Sequence, residues 1–161
     1  MKKYNQIAEF GKKLMTLGRI DNSLELISTE AKDLLNADRC SIFIVDSEEK
    51  ILWTKHSDGI GRIVIGLDSG IVGDTYELQK PQVVNNPYDD ARFLQSIDKK
   101  SGYVTRNMIT VPIFNSGREV IGIIQLLNKS RGDYDESDIK MLTFFANYVS
   151  GSLELVLMNE K

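Results

Sequence analysis

Apolar residues in the first third of the chain recur with helical spacing. Ile7, Phe10, Leu14 and Leu17 follow one another at steps of three, four and three, which lays them on one stripe of a helix. Gly18 is placed to end that helix, and Asp21-Asn22-Ser23 to supply the N-cap of the next. Leu24, Ile27, Ala31, Leu34 and Leu35 mark the buried face of this second helix. From Arg39 the texture becomes β. Residues 40–45 and 51–55 read as strands joined by the polar turn 46–50, and residues 62–65 as a further short strand. After Asp68-Ser69-Gly70, residues 71–79 predict a short helix ahead of Pro81, and Val83-Val84 a brief strand. Residues 108–114 and 119–127 flank Asn115-Ser116-Gly117 and predict a second hairpin. From Asp135 a long helix follows, with a seam at Leu142, Phe145, Val149, Leu153 and Val156. The order of helices and hairpins does not match repeated βαβ units, so the sheet is expected to be antiparallel.

One stretch lacks a pattern. Residues 85–103 hold Asn85-Asn86-Pro87, several charges and only isolated apolar residues such as Phe93, Leu94 and Ile97. A structureless segment of that length in a compact domain points to a function, such as a lid over a site.

Composition narrows the function. The 161 residues fit one domain with one core. A net charge of −3 and a pI near 5.2 argue against nucleic acid as the main partner. No apolar run has the roughly 20 residues of a membrane span, and polar residues interrupt any signal-peptide core, so a cytoplasmic protein without a membrane partner is expected. The single cysteine, Cys40, cannot form an intramolecular disulfide or a cysteine-rich zinc site, and reads as a small core residue.

Four separated motifs carry a family resemblance: RCSIFIVD (39–46), GIVG (70–73), DKKSGYVTRNMITVPI (98–113) and EVIGIIQLLNK (119–129). In kind and order they resemble GAF domains of cyclic-nucleotide phosphodiesterases and cyanobacterial adenylyl cyclases, over nearly the whole chain from about residue 22. The resemblance implies an α+β fold. A central antiparallel sheet would carry the N- and C-terminal helices on one face and a ligand pocket under a lid on the other. It further implies a single domain over 1–161, with helices at 1–20 and 140–161 used for dimerisation and signalling, commonly fused to an output domain. The chain starts and stops in helices, as an excised domain would and a stand-alone protein equally could.

The family's Asn-Lys…Phe-x-x-x-Asp-Glu signature falls on Asn128, Lys129, Tyr134 and Asp138, with Ile139 at the Glu position. The resemblance implies an ion pair between Lys129 and Asp138. Read from the residues alone, Asp135 is an N-cap, Tyr134 and Ile139 stand at the N′ and N4 positions of a hydrophobic staple, and Asp138 favours the positive helix end.

Candidate ligand residues follow from both sources. Gly70-Ile71-Val72-Gly73 is either a turn into a helix or a place where backbone N–H groups of Ile71 and Val72 meet a phosphate. Ser41 lies on the opposite strand face from Cys40 and Ile42, where it either faces a ligand or is a tolerated buried hydroxyl. Asp58 matches a purine-contacting position, and also suits the turn Ser57-Asp58-Gly59. Asp98, Ser101 and Thr105 match polar pocket positions, with a solvated loop as the plain alternative for the first two. Leu94 stands where the family can place an aromatic against the base. Arg106 reads as a surface or lid ion-pair partner, and Asp89-Asp90 as solvated charge.

Catalysis is not expected. Thiol-based sulfoxide reduction needs a resolving cysteine, and His56, the one histidine, has no nucleophile-elbow partner. No cofactor is required on this reading, and cyclic AMP or cyclic GMP is the expected ligand. The rival reading is a dimerising interaction module with a vestigial pocket or another small ligand, using the stripes 7–17 and 142–156 to pair two chains.

Overall fold

The structure is a computed structural model that describes residues 2–16, 21–59 and 61–158. Its element order is α1 (Lys2–Thr16), α2 (Asp21–Leu35), β1 (Ala37–Asp46), β2 (Ile51–Ser57), β3 (Val64–Gly66), α3 (Gly70–Leu78), β4 (Gln82–Val84), a 3₁₀ turn (Pro87–Asp89), α4 (Gln95–Ser101), β5 (Met108–Phe114), β6 (Val120–Lys129) and α5 (Glu136–Met158). Leu17 and Gly18 lie outside the described residues, as do the side chains of Asp21 and Asn22 and hence their capping role.

The strands form one six-stranded sheet in the order β3-β2-β1-β6-β5-β4, antiparallel throughout. Side-chain alternation divides its faces. Cys40, Ile42 and Ile44 of β1 join Ile109, Val111 and Ile113 of β5 and Ile124 and Leu126 of β6 under the helices. Phe43 of β1 and Ile123 of β6 turn to the other face, where Val72 of α3 covers them. Ser41 shares that second face, as its position between Cys40 and Ile42 predicts.

Helices α2 and α5 lie on the first face. Leu142, Phe145, Val149, Leu153 and Val156 of α5 are all buried there with Leu24, Ile27, Ala31, Leu34 and Leu35 of α2. Each of these side chains larger than alanine contributes about 1.5–3 kcal/mol through burial. This corrects the expectation that residues 142–156 form a seam toward a second chain: the stripe is consumed by the domain's own core. Helix α5 is long and apolar enough by composition to cross a membrane, and this stripe is the part of its apolar surface that the domain covers. Helix α1 is a third layer, inserting Ile7 and Phe10 against α2 and α5, with the Phe10 ring 5.5 Å from that of Phe145.

The predicted start of α5 is realised as a reciprocal cap. The Asp138 backbone N–H donates to Asp135 Oδ1 and the Asp135 N–H to Asp138 Oδ2, each at 3.0 Å. Aspartate here does the work of the glutamate in a capping box.

Residues 85–103 are more regular than their composition predicts. They contain the 3₁₀ turn and α4, which ends at Gly102 with φ +73°. Helix α4 has one turn's worth of apolar residues at most, so hydrophobic periodicity could not announce it; tertiary hydrogen bonds to Asp98 hold it instead.

Candidate ligand-binding site

Between the second sheet face and the segment 85–105 lies a cavity of about 660 Å³, counting its open mouth. Ser41, Phe43 and Gln125 of the sheet form its floor, and α3 enters with Ile71 and Val72. Leu94, Asp98, Ser101 and Thr105 come from the lid side, and Ser57 and Asp58 from the end of β2. All eight sequence-predicted ligand positions (Ser41, Asp58, Ile71, Val72, Leu94, Asp98, Ser101 and Thr105) therefore line one space.

Helix α3 reaches the cavity because two glycines allow it. Gly70 has φ +71°, and a Cβ there would meet Leu94 at 3.1 Å. At Gly73 a Cβ would stand 2.7 Å from the Leu67 carbonyl oxygen, which only glycine tolerates. Ser69 occupies the N-cap without a side-chain bond to the helix. The first-turn N–H groups of a helix lack intrahelical partners and attract negative charge.

The lid is fastened by Asp98. This residue is neither in a loop nor solvated: it is 6 % exposed, within α4. Its Oδ2 accepts from the Thr105 N–H at 2.8 Å and from the Tyr88 hydroxyl at 2.5 Å, and its Oδ1 from the Thr105 hydroxyl at 2.9 Å. The hydrogen bond that the Tyr88 phenol donates to this carboxylate pushes its pKa upward, since losing the proton would break that bond. Ser101 sits at the rim, its hydroxyl within 3.3 Å of the Asp98 carbonyl.

Asp58 is anchored from within. Its Oδ2 accepts from the Cys40 N–H at 2.9 Å and pairs with Lys32 Nζ at 2.8 Å, while Oδ1 lies 3.1 Å from His56 Nε2. Burial favours the protonated form, but the Lys32, Cys40 and His56 contacts outweigh it and hold the carboxyl below its ordinary value. Ser41 Oγ lies 2.8 Å from Ser57 Oγ.

Several residues escaped sequence reading. Arg92 ties the lid to its base, donating to Asp90, to Asp74 of α3 at 2.5 Å and to Gln82 of β4 at 2.6 Å. Asp90 is thus an ion-pair partner, not solvated charge, and Arg92 keeps its carboxyl low. Gln82 continues inward to Thr75, whose hydroxyl meets that of Thr110 at 2.6 Å. Arg39 lines the cavity too, with its guanidinium carbon 3.8 Å from the centre of the Tyr103 ring. Its place two residues before Ser41, on the same strand face, was the available signal. Arg106, expected in an ion pair, has none among the described residues.

The signature residues do not line the cavity; Asn128 supports its wall from behind the strap. Asn128, at φ +60°, accepts from the Arg106 and Asn107 N–H groups and donates to the Val104 carbonyl and the Tyr103 hydroxyl, each of the latter at 2.9 Å. It therefore shapes the strap between α4 and β5. Lys129 Nζ pairs with Asp138 Oδ2 at 2.6 Å, and Tyr134 is buried beside them.

The GAF domain family model matches residues 19–153. The chain belongs to the GAF domain family. It is 34 % identical over 149 residues to the dual 3′,5′-cyclic-AMP and -GMP phosphodiesterase 11A of Takifugu rubripes, covering 78 % of this chain and 16 % of that protein. To the probable 3′,5′-cyclic phosphodiesterase pde-5 of Caenorhabditis elegans it is 29 % identical over 145 residues, covering 81 % of this chain and 20 % of that protein. The chain thus spans a fifth or less of these relatives' length, which makes its counterpart in them one part of a larger protein. In fold it is similar to the GAF domain of the Acinetobacter phosphoenolpyruvate-protein phosphotransferase, with TM-score 0.84 at 18 % identity, 99 % of this chain and 98 % of that one being covered. Its role is that of a regulatory, sensor-type domain.

Proposed function

We propose that this domain binds a cyclic nucleotide in the cavity under residues 85–105 and relays occupancy to its helices. The observation that carries the reading is the convergence of the eight expected residues on one space, under a lid that Asp98 and Arg92 fasten. On this reading the phosphate meets the Ile71 and Val72 amides, and the base and ribose meet Ser41, Asp58 and Thr105. Contacts in the walls support a relay: Asp58 is paired with Lys32 of α2, and the strap held by Asn128 adjoins Lys129, paired with Asp138 at the start of α5. Ordering the lid would bias both helices. Similarity to phosphodiesterases whose names record cyclic AMP and cyclic GMP supports the choice of ligand. Isothermal titration of cyclic AMP, then cyclic GMP, into exhaustively dialysed protein tests it. Micromolar or tighter binding that weakens in Thr105→Ala is expected; no heat with either nucleotide from folded, empty protein overturns the reading.

A second reading, pairing of two copies, has its own observation. Phe144, Tyr148, Leu155 and Met158 are 43–62 % exposed at steps of four, seven and three along α5, the spacing of a coiled-coil seam. Gly151 falls on the same line with open space before it, and Tyr4 of α1 extends the patch, 4.8 Å from Phe144 edge to face. This stripe replaces the buried one expected from sequence.

A further inference from the structure

The cavity holds a cation whose hydrogen-bonding capacity is unspent. The Arg39 guanidinium makes no hydrogen bond or ion pair to any described residue; its contact is the Tyr103 ring, 3.8 Å from the guanidinium carbon. That ring is itself fixed, donating from its hydroxyl to Asp38 Oδ2 at 2.7 Å and accepting there from Asn128 at 2.9 Å. The guanidinium also lies against Gly59, where a Cβ would come within 2.5 Å of it at a backbone φ of +71°. An aromatic platform and a glycine thus hold a planar group in place while its N–H edge stays unpaired in the cavity lining.

Arginine has donors and no acceptor, and its fork suits two adjacent acceptors. The cavity carboxylates do not use it: Asp98 is taken by Tyr88 and Thr105, and Asp58 by Lys32, His56 and the Cys40 amide. The guanidinium also belongs to a different part of the wall from Ile71 and Val72. Those two residues pack against Met108 and Val84, and against Phe43 and Ile123, whereas Arg39 rests on Tyr103 and Gly59 beside Ser57 and Asp58. On the cyclic-nucleotide reading, which sets the phosphate at the α3 amides and the base near Ser41 and Asp58, Arg39 belongs to the base's part of the wall, two residues before Ser41 on the same strand face and beside Ser57 and Asp58. Guanine offers the acceptor pair O6 and N7 on one edge; adenine offers N7 next to an amino donor, which would oppose the guanidinium donors.

We infer that Arg39 is the base-selecting residue of this site and makes it prefer a guanine nucleotide over an adenine nucleotide. The inference rests on the cyclic-nucleotide reading and deepens it. Calorimetric titration of cyclic GMP, cyclic AMP and cyclic IMP into wild-type, Arg39→Ala and Arg39→Gln protein tests it. Cyclic IMP keeps O6 and N7 and lacks the 2-amino group. Wild type is expected to bind cyclic GMP and cyclic IMP about 5- to 150-fold more tightly than cyclic AMP, the range of one bidentate arginine–guanine contact. Arg39→Ala should erase that ratio, chiefly by weakening the two oxo-purines, and Arg39→Gln should tip it toward adenine, since a glutamine amide matches N6 and N7. Melting temperatures without ligand identify any variant that fails to fold, and the wild-type ratio alone still decides the direction. Cyclic AMP bound as tightly as cyclic GMP, or equal losses for all three ligands in Arg39→Ala, overturns the inference and leaves the nucleotide reading intact. Wild type that binds none of the three overturns both.

Discussion

Asp98 and Thr105 are joined twice, N–H to Oδ2 at 2.8 Å and hydroxyl to Oδ1 at 2.9 Å, so that one carboxylate closes α4 onto the strap leading into β5. Thr105 is 1 % exposed, which leaves its N–H no water to turn to. In Asp98→Asn one acceptor oxygen becomes an amide donor: at the Oδ2 position the Thr105 N–H and the Tyr88 hydroxyl both lose their acceptor, and at the Oδ1 position the Thr105 hydroxyl does. Leaving such a buried donor unmet costs about 1–3 kcal/mol. Urea unfolding of Asp98→Asn should show a loss in that range, with α4 amides exchanging faster than those of β5 and β6. Unchanged stability and exchange would mean that the lid is held by Arg92 alone.

How much of this was legible in the sequence depended on what stabilises each part. The faces of β1 could be read from Cys40, Ser41 and Ile42 because strand alternation is a local rule. The start of α5 could be read from Asp135 and Asp138 because a cap is built from neighbours in sequence. Helix α4 could not, since its seven residues hold only Ile97 as an apolar member and depend on Tyr88 and Thr105 across space. Nor could the partner of the 142–156 stripe be read. Periodicity shows that a face is apolar, but not whether the same chain or another covers it. Arg92 is illegible for a related reason: a lone arginine in a polar stretch acquires meaning only from the carboxylates the fold brings to it.

Asp58 links the cavity wall to α2 through Lys32, and this contact should appear in the acid limb of stability. Its carboxyl titrates lower in the folded protein than in the unfolded chain, where the value is near 3.9. The stabilisation is therefore fully present above about pH 5 and declines as pH falls through the unfolded and then the folded value. The stability difference between wild type and Asp58→Asn should be flat from pH 7 to 5 and shrink below pH 4. Lys32→Met should make that decline smaller and end it at a higher pH, because it raises the folded value and leaves the unfolded one unchanged. A difference that grows on acidification would contradict the ion pair.

Cys40 should be chemically silent until the domain opens. It is fully buried between the sheet and α2, and burial pushes its thiol up to about pKa 12, so almost no thiolate exists at neutral pH. Labelling by a disulfide reagent at pH 8 should follow the global unfolding equilibrium, slowing as stability rises and reaching completion only in denaturant. Rapid labelling of the native protein would show that α2 lifts from β1 on its own, a local opening that the Lys32–Asp58 contact should resist.

The two apolar lines on α5 separate folding from pairing, because one is buried and the other exposed. Leu142 is 0 % exposed beneath the sheet, whereas Phe144 and Tyr148 are 43 % and 46 % exposed on the outer side, their rings 6.5 Å apart and near parallel. Leu142→Ala should lower unfolding free energy by about 2–5 kcal/mol through the lost contacts and the cavity left behind. The double variant Phe144→Glu with Tyr148→Glu removes the Phe144–Tyr4 ring contact and the packing of Tyr148 on Gly11 of α1, but leaves the α5 residues that meet the sheet and α2 in place, so the core fold should be retained. If the outer line joins two copies, light scattering should find wild type dimeric at high micromolar concentration and the double variant monomeric. The facing carboxylates would then repel where aromatic surface had been buried. A wild-type chain that stays monomeric over that range would assign the outer line no pairing role and leave the cavity as the functional surface of the domain.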